Sequence, residues 1–358
     1  MTIIVTGGAG FIGSNFVLDW VREEEEAIVN IDNLTYAGNI GNLVSLDEEP
    51  RYIFVRDDIC NGEAIRELLQ HHQPRAIIHL AAESHVDRSI HGPAAFIDTN
   101  IVGTFRLLEE ARDYWQGLPS NRQDSFRFLH VSTDEVYGSL EADDPPFSEA
   151  SPFAPNSPYS ASKAASDHLV RAYFHTYDLP VLTSNCSNNY GPFQFPEKLI
   201  PLMIVAALSG QSMPVYGDGL NVRDWLYVGD HCSALRQILA DGQPGATYNI
   251  GGRSERTNLD VIHTLCEALD KLHPQSPVTP HSKLISFVED RPGHDRRYAV
   301  DTSRVEQELG WAPREAFNSG TLKTVQWYLD NSKWLDDVRS GRYREWIDRN
   351  YGQRVTMR

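Results

Sequence analysis

A tyrosine and a lysine four residues apart are the first groups in this sequence that could do chemistry together. Tyr159 and Lys163 lie in the stretch 157–163, which begins with Ser157 and Pro158. Serine is favoured at a helix N-cap and proline in the first turn, so a helix is predicted to begin here with both side chains on one face. A cation beside a phenol favours the phenolate and lowers the phenol pKa from about 10. Tyr159 is therefore a candidate base for a hydroxyl proton, although this spacing also arises by chance.

Three polar residues follow a strand-like run, Arg127–Ser132. They are Thr133, Asp134 and Glu135. In open α/β sheets, ligands bind at the carboxyl ends of the strands. We expect Thr133 to hydrogen-bond the hydroxyl that Tyr159 deprotonates, and Asp134 and Glu135 to act as an acid and base pair. The competing interpretation is that these carboxylates only cap the following turn.

A glycine-rich segment follows the first predicted strand and precedes the first predicted helix. Gly7, Gly10 and Gly13 permit a tight turn, a close approach of the backbone to a pyrophosphate, and close packing of the helix on the sheet. Asp32 ends the next strand-like run, where a carboxylate suits the free ribose hydroxyls of NAD and repels the extra phosphate of NADP. The sequence predicts an NAD site. The alternative is a flavin or nucleotide site without a redox role.

These groups need a sheet whose strand ends meet at one edge. Short, nearly continuous apolar runs alternate with stretches of helical periodicity, which is typical of a parallel sheet covered on both faces. The runs are Thr2–Thr6, Ala27–Asp32, Tyr52–Val55, Ala76–Leu80, Arg127–Ser132 and Val181–Cys186. The predicted fold class is α/β, a Rossmann-type doubly wound parallel sheet with a smaller mixed α/β substrate-binding domain.

The second half of the chain is less regular, and helices are expected near Glu197–Leu208, Val228–Ala240 and Leu259–Leu269. The interpretation that follows divides the chain by function. An NAD-binding domain takes residues 1–186, with 229–251 returning to it; the substrate-binding domain takes 187–228 and 252–330; a helical or peripheral tail takes 331–358.

Composition limits the class of protein. Of 358 residues, 41% are hydrophobic and 23% charged, which excludes a disordered, collagenous or coiled-coil protein. The formal net charge of −17 argues against nucleic acid or an anionic membrane as a partner. The four cysteines have no metal-ligand spacing, and neither a leader nor an apolar run of membrane length is recognised. We expect a cytoplasmic protein with no metal site.

The motifs together resemble a known family. The chain is similar to the extended short-chain dehydrogenase/reductase family in four segments: Gly7–Gly13, Leu80–Asp87, Ser132–Glu135 and Tyr159–Lys163. Within that family it most resembles the nucleotide-sugar 4,6-dehydratases in three: Thr133–Glu135, Asn185–Pro192 and Asp290–Asp295. The resemblance runs from residue 2 to about 330, with the motifs in the expected order.

The resemblance implies three steps on dTDP-glucose in one pocket. Hydride passes from carbon 4 to NAD, with Tyr159 as base and Thr133 and Lys163 assisting. Glu135 then removes the carbon 5 proton while Asp134 protonates the departing carbon 6 hydroxyl. Hydride finally returns to carbon 6, so NAD is bound tightly and regenerated in each turnover.

The resemblance also implies the binding residues and a homodimer. We expect the NAD to contact Gly7, Gly10, Phe11, Ile12, Gly13, Asp32, Asn33, Leu34, Thr35, Asp58, Ile59, Leu80, Ala81, Ala82, Glu83, Thr99, Tyr159, Lys163 and Asn189. We expect the sugar nucleotide to contact Ser84, Thr133, Asn188, Lys198, Leu199, Pro214, Val215, Tyr216, Arg223, Asn258, Asp290, Arg291, Pro292, Gly293 and His294. Arginine forks suit diphosphate oxygens, although Arg223 and Arg291 taken singly also fit surface ion pairs.

Three other functions compete with this one. A nucleotide-sugar 4-epimerase shares the glycine segment and the Tyr159–Lys163 pair, but it needs no elimination acid and base. A dehydratase acting on another nucleotide sugar is the second alternative. A non-catalytic NAD-binding scaffold is the third, and it has no need of both Tyr159 and Lys163. Fold alone does not decide between them.

Overall fold

Twelve strands form in the described part of the chain, residues 1–290 and 294–339 of this computed structural model. Seven lie in one large sheet and the other five in two small sheets. They are β1 Thr2–Thr6, β2 Ala27–Ile31, β3 Tyr52–Val55, β4 Ala76–His79, β5 Arg127–Thr133, β6 Val181–Cys186, β7 Asn188–Tyr190, β8 Met213–Tyr216, β9 Val222–Tyr227, β10 Thr247–Ile250, β11 Glu255–Thr257 and β12 Ile285–Val288.

The large sheet is entirely parallel, in the order β3-β2-β1-β4-β5-β6-β10. The order reverses direction between β1 and β4, so the carboxyl ends of these two strands flank a crevice. The six predicted strands are all present, with bounds that differ by a residue at most. The prediction of a doubly wound parallel sheet is confirmed.

Helices separate the strands and cover the sheet. They are α1 Phe11–Glu23, α2 Gly62–His72, α3 Val86–His91, α4 Ala94–Phe96, α5 Thr104–Gln116, α6 Ser120–Ser125, α7 Pro158–Tyr177, α8 Leu199–Leu208, α9 Val228–Asp241, α10 Asn258–Leu272, α11 Ser303–Leu309, α12 Phe317–Asp330 and α13 Ser332–Arg339. Short 3₁₀ turns span Ile40–Leu46, Asp134–Tyr137 and His281–Leu284. The three helices predicted in the second half correspond to α8, α9 and α10. None of the described helices is both long and apolar enough to cross a bilayer.

Alternate residues of β1 pack on opposite faces of the large sheet. Ile3 belongs to a core with Phe16 of α1 and Leu235 of α9, whereas Ile4 belongs to a core with Leu107 of α5 and Val170 of α7. A strand buried on both faces must be apolar at every position, which explains why the sequence pattern of β1 does not alternate.

The smaller sheets lie in the second half of the chain. One has the order β11-β9-β7 and the other pairs β12 with β8. Helices α8, α10 and α12 form a separate core with them, with Ile204, Leu265 and Val325 at its centre. Strand β10 pairs with β6 in the large sheet, which agrees with the predicted return of 229–251. The domain boundaries themselves stay a prediction.

One helical segment departs from the expected α-helix. The apolar stretch 96–108 continues from α4 into α5, but Ile97–Gly103 is a π-helix. Within it the Asn100 side chain accepts from the Glu83 backbone N–H (2.9 Å) and donates to the Ser162 hydroxyl (2.8 Å). The widened turn therefore presents a buried amide that ties the β4–α3 loop to α7, and π-helical turns often occur at functional sites.

The last described helix is tied to the 3₁₀ turn Ile40–Leu46, which follows β2. Trp334 of α13 donates from its indole nitrogen to Asn42 Oδ1 over 2.7 Å. The Asn42 amide donates in turn to the Ala9 carbonyl (3.1 Å) and the Ser14 hydroxyl (2.9 Å). The tail predicted at 331–358 is helical over α13, and residues 340–358 lie outside the described residues.

Candidate active site

A cavity of about 410 Å³ opens at the carboxyl ends of the parallel strands and extends between the large sheet and the second half of the chain. Most of the residues predicted from sequence line it. They are Gly7, Gly10, Phe11, Ile12, Gly13, Asp32, Asn33, Thr35, Asp58, Ile59, Leu80, Ala81, Ala82, Glu83, Ser84, Thr99, Thr133, Asp134, Glu135, Tyr159, Lys163, Asn188, Asn189, Lys198, Leu199, Pro214, Val215, Tyr216, Arg223, Asn258 and His294.

A few predicted residues do not line this cavity. Leu34 adopts a left-handed conformation (φ 54°), and its N–H donates to Asp32 Oδ1. Asp290 lies beside the cavity, where one carboxylate oxygen is 2.7 Å from His294 Nδ1. Arg291, Pro292 and Gly293 lie outside the described residues, so their predicted contacts stay predictions.

The glycine segment forms a cradle that side chains would fill. At Gly7 (φ +75°) a Cβ would lie 2.6 Å from the Ala81 Cα, and at Gly13 a Cβ would overlap the Gly7 carbonyl oxygen. Gly10 is the N-cap of α1 and offers no side chain there. Bare backbone at a helix N-terminus is suited to a pyrophosphate, whose charge the N–H groups and the helix dipole stabilise.

Asp32 both shapes the cradle and lines it. Its carboxylate accepts from the Ala9 N–H (2.9 Å) and from the Leu34 N–H (2.8 Å). Burial raises its pKa, and these two hydrogen bonds oppose the rise. Each carboxylate oxygen has a further lone pair, so it can still accept from a ribose hydroxyl. The cradle and Asp32 together fit NAD.

Helix α7 begins directly after Ser157, its N-cap, as the sequence predicts. Ser157 caps α7 by accepting from the Ser160 N–H, Ser160 returns the bond, and Pro158 occupies the first turn. This cap fixes where α7 begins, and therefore directs Tyr159 and Lys163 toward the ends of β5 and β6.

The net shift in the pKa of Tyr159 is upward in this structure, despite the nearby Lys163. Its ammonium donates to the Val131 carbonyl over 2.9 Å, and burial lowers the pKa of Lys163 itself. Tyr159 is also buried, and its pKa is raised well above the usual value by that burial and by the negative charge of Glu135. The predicted lowering is wrong for these groups taken alone, because desolvation of a phenolate outweighs one nearby cation.

Asp134 and Glu135 begin the 3₁₀ turn after β5. The Thr133 hydroxyl accepts from the Glu135 N–H, so Thr133 itself caps this turn. Asp134 is fully buried, and its pKa is raised well above the usual range, first by burial and then by Glu135 and Asp224. Burial therefore favours the protonated form of Asp134. A carboxyl group whose pKa is raised is suited to act as an acid.

The wall opposite the cradle carries two cations. The Arg223 guanidinium donates to the Asp295 carbonyl (2.9 Å) and stacks over the Tyr298 ring at 4.4 Å. Lys198 donates from its ammonium to the Ser84 carbonyl over 2.8 Å. Both side chains line the cavity while their other contacts fix their direction. In a protein of net charge −17, these are the local positive groups that an anionic ligand needs.

A clasp of three side chains, of which Glu197 is buried and Arg88 and Tyr36 are partly buried, was not foreseen. Arg88 of α3 pairs with the buried Glu197 at 3.2 Å, and its guanidinium lies 3.6 Å from the centre of the Tyr36 ring. Burial raises the pKa of Glu197. The clasp joins the loop after β2, helix α3 and the segment before α8. No spacing signal in the sequence points to it, because Arg88 and Glu197 are 109 residues apart.

A family model described as GDP-mannose 4,6 dehydratase matches residues 4–324. The chain therefore belongs to this family of nucleotide-sugar dehydratases, within the dehydrogenase/reductase class that its motifs resemble. Among the described residues, no three histidine, cysteine or acidic side chains are grouped as a metal site would need.

Relatives of known sequence are more specific. A dTDP-glucose 4,6-dehydratase of Xanthomonas campestris pv. campestris (strain B100) is 59% identical over 343 residues, which are 96% of this chain and 97% of that protein. The dTDP-glucose 4,6-dehydratase 1 of Escherichia coli (strain K12) is 54% identical over 359 residues, 98% of this chain and 99% of that protein.

Solved structures agree in fold. The Bacillus anthracis dTDP-glucose 4,6-dehydratase with NAD has a TM-score of 0.83 and 45% identity, covering 94% of this chain and 99% of that one. The Streptomyces venezuelae enzyme with NAD and dTDP has a TM-score of 0.86 and 43% identity, covering 94% and 100%. A UDP-glucose 4-epimerase of Thermotoga maritima also superimposes, with a TM-score of 0.80 at 28% identity over 93% and 100%. The fold is thus shared by dehydratases and epimerases.

Proposed function

We propose that this chain dehydrates dTDP-glucose to dTDP-4-keto-6-deoxyglucose. The reaction oxidises carbon 4, eliminates water across carbons 5 and 6, and returns the hydride to carbon 6. The curated relatives with 54–59% identity are dTDP-glucose 4,6-dehydratases, and two of the solved relatives contain NAD.

The observation that carries this proposal is the buried Asp134 beside Glu135 in the same cavity as Tyr159. An epimerase needs only the Tyr159 side of this pocket, because it moves a hydride off carbon 4 and back. An elimination needs an additional base for a carbon-bound proton and an acid for the leaving hydroxyl. We assign these two roles to Asp134 and Glu135, which line the same cavity as Tyr159.

The first proton is moved by Tyr159. NAD, held by the glycine cradle and Asp32, supplies the acceptor for the carbon 4 hydride and later the donor for carbon 6. As a phenolate, the form that the positive charges of Lys163 and of bound NAD favour, Tyr159 accepts the carbon 4 hydroxyl proton, and the Thr133 hydroxyl orients the same oxygen. Lys163, one helical turn further along α7, stabilises the negative charge on the phenol oxygen.

The elimination is assigned to the two carboxyl groups. Once carbon 4 is a ketone, the carbon 5 proton is acidic, and Glu135 removes it. Asp134 gives its proton to the carbon 6 hydroxyl, which leaves as water. The raised pKa of Asp134 suits this role, because burial favours the protonated form that an acid needs. Glu135 then returns a proton to carbon 5.

Binding is divided between the two sides of the cavity. We assign NAD to the glycine cradle, Asp32 and the ends of β3 and β4, as the sequence predicts. We assign the diphosphate of the sugar nucleotide to Arg223 and Lys198, whose charges face the cavity from the opposite wall. We also infer the domain division given from sequence, with one difference: Val305 and Trp311, from the segment given to the substrate-binding domain, pack in the core of the large sheet.

A second copy of the chain is proposed as a partner. Ile97, Val102 and Phe105 of the π-helix and α5 are between 38% and 44% exposed, and Tyr177 at the end of α7 is 40% exposed. Apolar side chains grouped on two adjacent helices are typical of an interface. We infer a homodimer formed through this face, in a cytoplasmic protein whose four cysteines are free. The molar mass measured by light scattering in solution tests the dimer.

The Glu135→Gln variant tests the proposed reaction. Glutamine keeps the size of the side chain but cannot accept the carbon 5 proton. With dTDP-glucose, the variant should accumulate reduced nicotinamide absorbance and then stop, and turnover should fall by about 10²–10⁴-fold. The exposed Glu48→Gln is the matched control and should turn over normally.

The unaltered protein in heavy water gives the second half of this test. The product should have lost one water and should carry deuterium at carbon 5, because Glu135 exchanges its proton with solvent before returning one. A product that keeps the carbon 6 hydroxyl and its original carbon 5 hydrogen would overturn the dehydratase proposal in favour of the epimerase.

A further inference from the structure

A third polar residue continues the catalytic face of α7. Tyr159, Lys163 and Asp167 follow one another at intervals of four, so their side chains lie in one row along the helix. The Asp167 carboxylate is only 4% exposed. It accepts from the Ser132 hydroxyl at 2.9 Å and lies 3.1 Å from His130 Nε2. The Asn185 amide adds a longer contact of 3.4 Å.

His130 is not a positively charged partner for the Asp167 carboxylate. It is completely buried on β5, and its pKa is lowered well below 6.5 by that burial and by the charge of Lys163. His130 is therefore neutral and donates from Nε2 to Asp167, while its Nδ1 has no hydrogen-bond partner. The tautomer follows from this contact, because only the N–H form of Nε2 can donate to a carboxylate.

We propose that Asp167 is a positioning residue that keeps the Lys163 ammonium charged beneath Tyr159. The proposal rests on the proposed function, since it gives that charge its catalytic meaning. Lys163 and Asp167 are one turn apart in a buried site, where opposite charges interact more strongly than in water. Neutral donors from β5 and β6 hold the carboxylate in place without cancelling its charge. The negative side chain of Asp167 thus offsets the cost of burying the ammonium.

Other titratable groups face Asp167 and must be counted. They are Lys163, His168 and Arg171 on α7, His130 on β5, Tyr137 in the turn after β5, Glu149 in the loop beyond it, and Cys186 on β6. Among the cations, Lys163 lowers the pKa of Asp167 most. Burial raises the pKa of Tyr137, Cys186 and Glu149. The Tyr137 phenol and the Cys186 thiol are therefore neutral at the working pH.

Asp167 also has a route to solvent that avoids the catalytic cavity. It lines a second cavity of about 250 Å³, together with the exposed His168 and Arg171. Burial raises the pKa of Asp167 to about 6, and the proximity of Lys163 opposes that rise. The carboxylate is therefore ionised at neutral pH and can exchange its proton through this cavity. The charge on Lys163 is thereby supported from the side of α7 away from the substrate.

The sign of the expected pH effect follows from this charge. Without a carboxylate at position 167, the pKa of Lys163, already lowered by burial, falls further. Lys163 then loses its proton at a lower pH, and phenolate formation at Tyr159 loses its cation. The alkaline limb of the hydride-transfer rate should therefore move toward acid in Asp167→Asn, by on the order of one pH unit or more. A merely structural role would lower the melting temperature and leave this limb in place.

Because the chain has few lysines, the charge of Lys163 can be measured without an activity assay. The chain has six lysines, so lysine labelled with ¹³C at Cε gives six signals in the NAD-loaded protein, and Lys163→Met identifies the signal of Lys163. In Asp167→Asn the titration midpoint of that signal should fall by on the order of one pH unit or more. The matched control is Asp178→Asn, the same change at the exposed C-cap of α7, which should not move the midpoint.

Two results would overturn the proposal. One is a folded Asp167→Asn protein whose Lys163 midpoint equals that of the unaltered protein. The other needs no variant: the Lys163 signal of the unaltered protein should show a small inflection near pH 6, where Asp167 titrates, and its absence contradicts the coupling. Neither measurement uses the sugar nucleotide. A failure of the proposed dehydration would appear only in the product assay.

Discussion

The two walls of the cavity, the cofactor wall that we assign to NAD and the substrate wall that we assign to the sugar nucleotide, are built in different ways. The cofactor wall is built from backbone: glycines without side chains, and a loop held by hydrogen bonds such as Ala9 to Asp32, 23 residues apart. The substrate wall is built from side chains whose partners are distant in sequence, such as Lys198 and Ser84, 114 residues apart. Ligand binding at the cofactor wall should therefore be weakened by added side-chain atoms, and ligand binding at the substrate wall by altered or shortened side chains.

The largest expected effect follows from adding one carbon to the cofactor wall. In Gly13→Ala the new Cβ overlaps the Gly7 carbonyl oxygen and lies 2.7 Å from the Gly8 Cα, and neither backbone atom can move away cheaply. We expect loss of bound NAD and destabilisation of about 1–3 kcal/mol. Thermal unfolding and the NAD content of the purified protein measure both effects.

Gly10→Ala is the matched control for that change. Its Cβ would lie 3.3 Å from the Gly7 carbonyl oxygen, so the backbone needs only a slight adjustment. The melting temperature should stay close to that of the unaltered protein, while NAD binding weakens because the methyl group projects from the N-cap of α1. If the two variants were equally stable, the distinction between Gly13 as a packed glycine and Gly10 as a ligand-facing glycine would be wrong.

A smaller effect is expected on the substrate wall from Arg223→Lys. Lysine keeps the charge but loses the planar fork that reaches the Asp295 carbonyl and covers the Tyr298 ring. The KM for dTDP-glucose should rise about 10–100-fold, as expected for losing a charge-assisted contact of roughly 1.5–3 kcal/mol. The NAD content should not change.

Arg296→Lys is the control for Arg223→Lys. Arg296 pairs with Asp218 on the exposed surface, where an ion pair contributes little. Steady-state kinetics should show almost no change in KM. If the Arg223→Lys variant instead released NAD, the two walls would not be independent.

The smallest effect is expected at Asp32, a carboxylate of the cofactor wall. Asp32→Asn keeps one acceptor for the Ala9 and Leu34 N–H groups but removes the negative charge. NAD affinity should fall several-fold, by about 1 kcal/mol for one weakened hydrogen bond, and the discrimination against NADP should narrow. Titrations of the two dinucleotides measure the ratio. An unchanged ratio would mean that Asp32 shapes the loop without selecting the cofactor.

The contrast between the walls also explains what sequence reasoning could reach. Strand bounds, the Ser157 cap and the glycine cradle depend on neighbours in sequence, and the structure agrees with each of them. The clasp of Arg88, Glu197 and Tyr36 depends on segments brought together only by the complete fold. It therefore leaves no spacing signal.

Electrostatics was the other property that the sequence could not supply. The spacing of Tyr159 and Lys163 correctly places both side chains in one cavity, but the pKa of the phenol depends on burial, which a sequence pattern does not measure. The same holds for Asp134, whose pKa is raised by burial and by the nearby Glu135 and Asp224. The π-helix at Ile97–Gly103 was missed because a widened turn preserves the apolar pattern of an ordinary helix.

The bond between Trp334 and Asn42 has a consequence for how the chain matures. The two residues are 292 positions apart, so the amide that supports the glycine cradle lacks its indole partner until nearly the whole chain has been made. At a synthesis rate of roughly 5–20 residues per second, that interval is roughly 15–60 s. The large sheet cannot be completed earlier than β10 either. The cofactor cradle, although encoded first, reaches its final form among the last parts of the nascent protein.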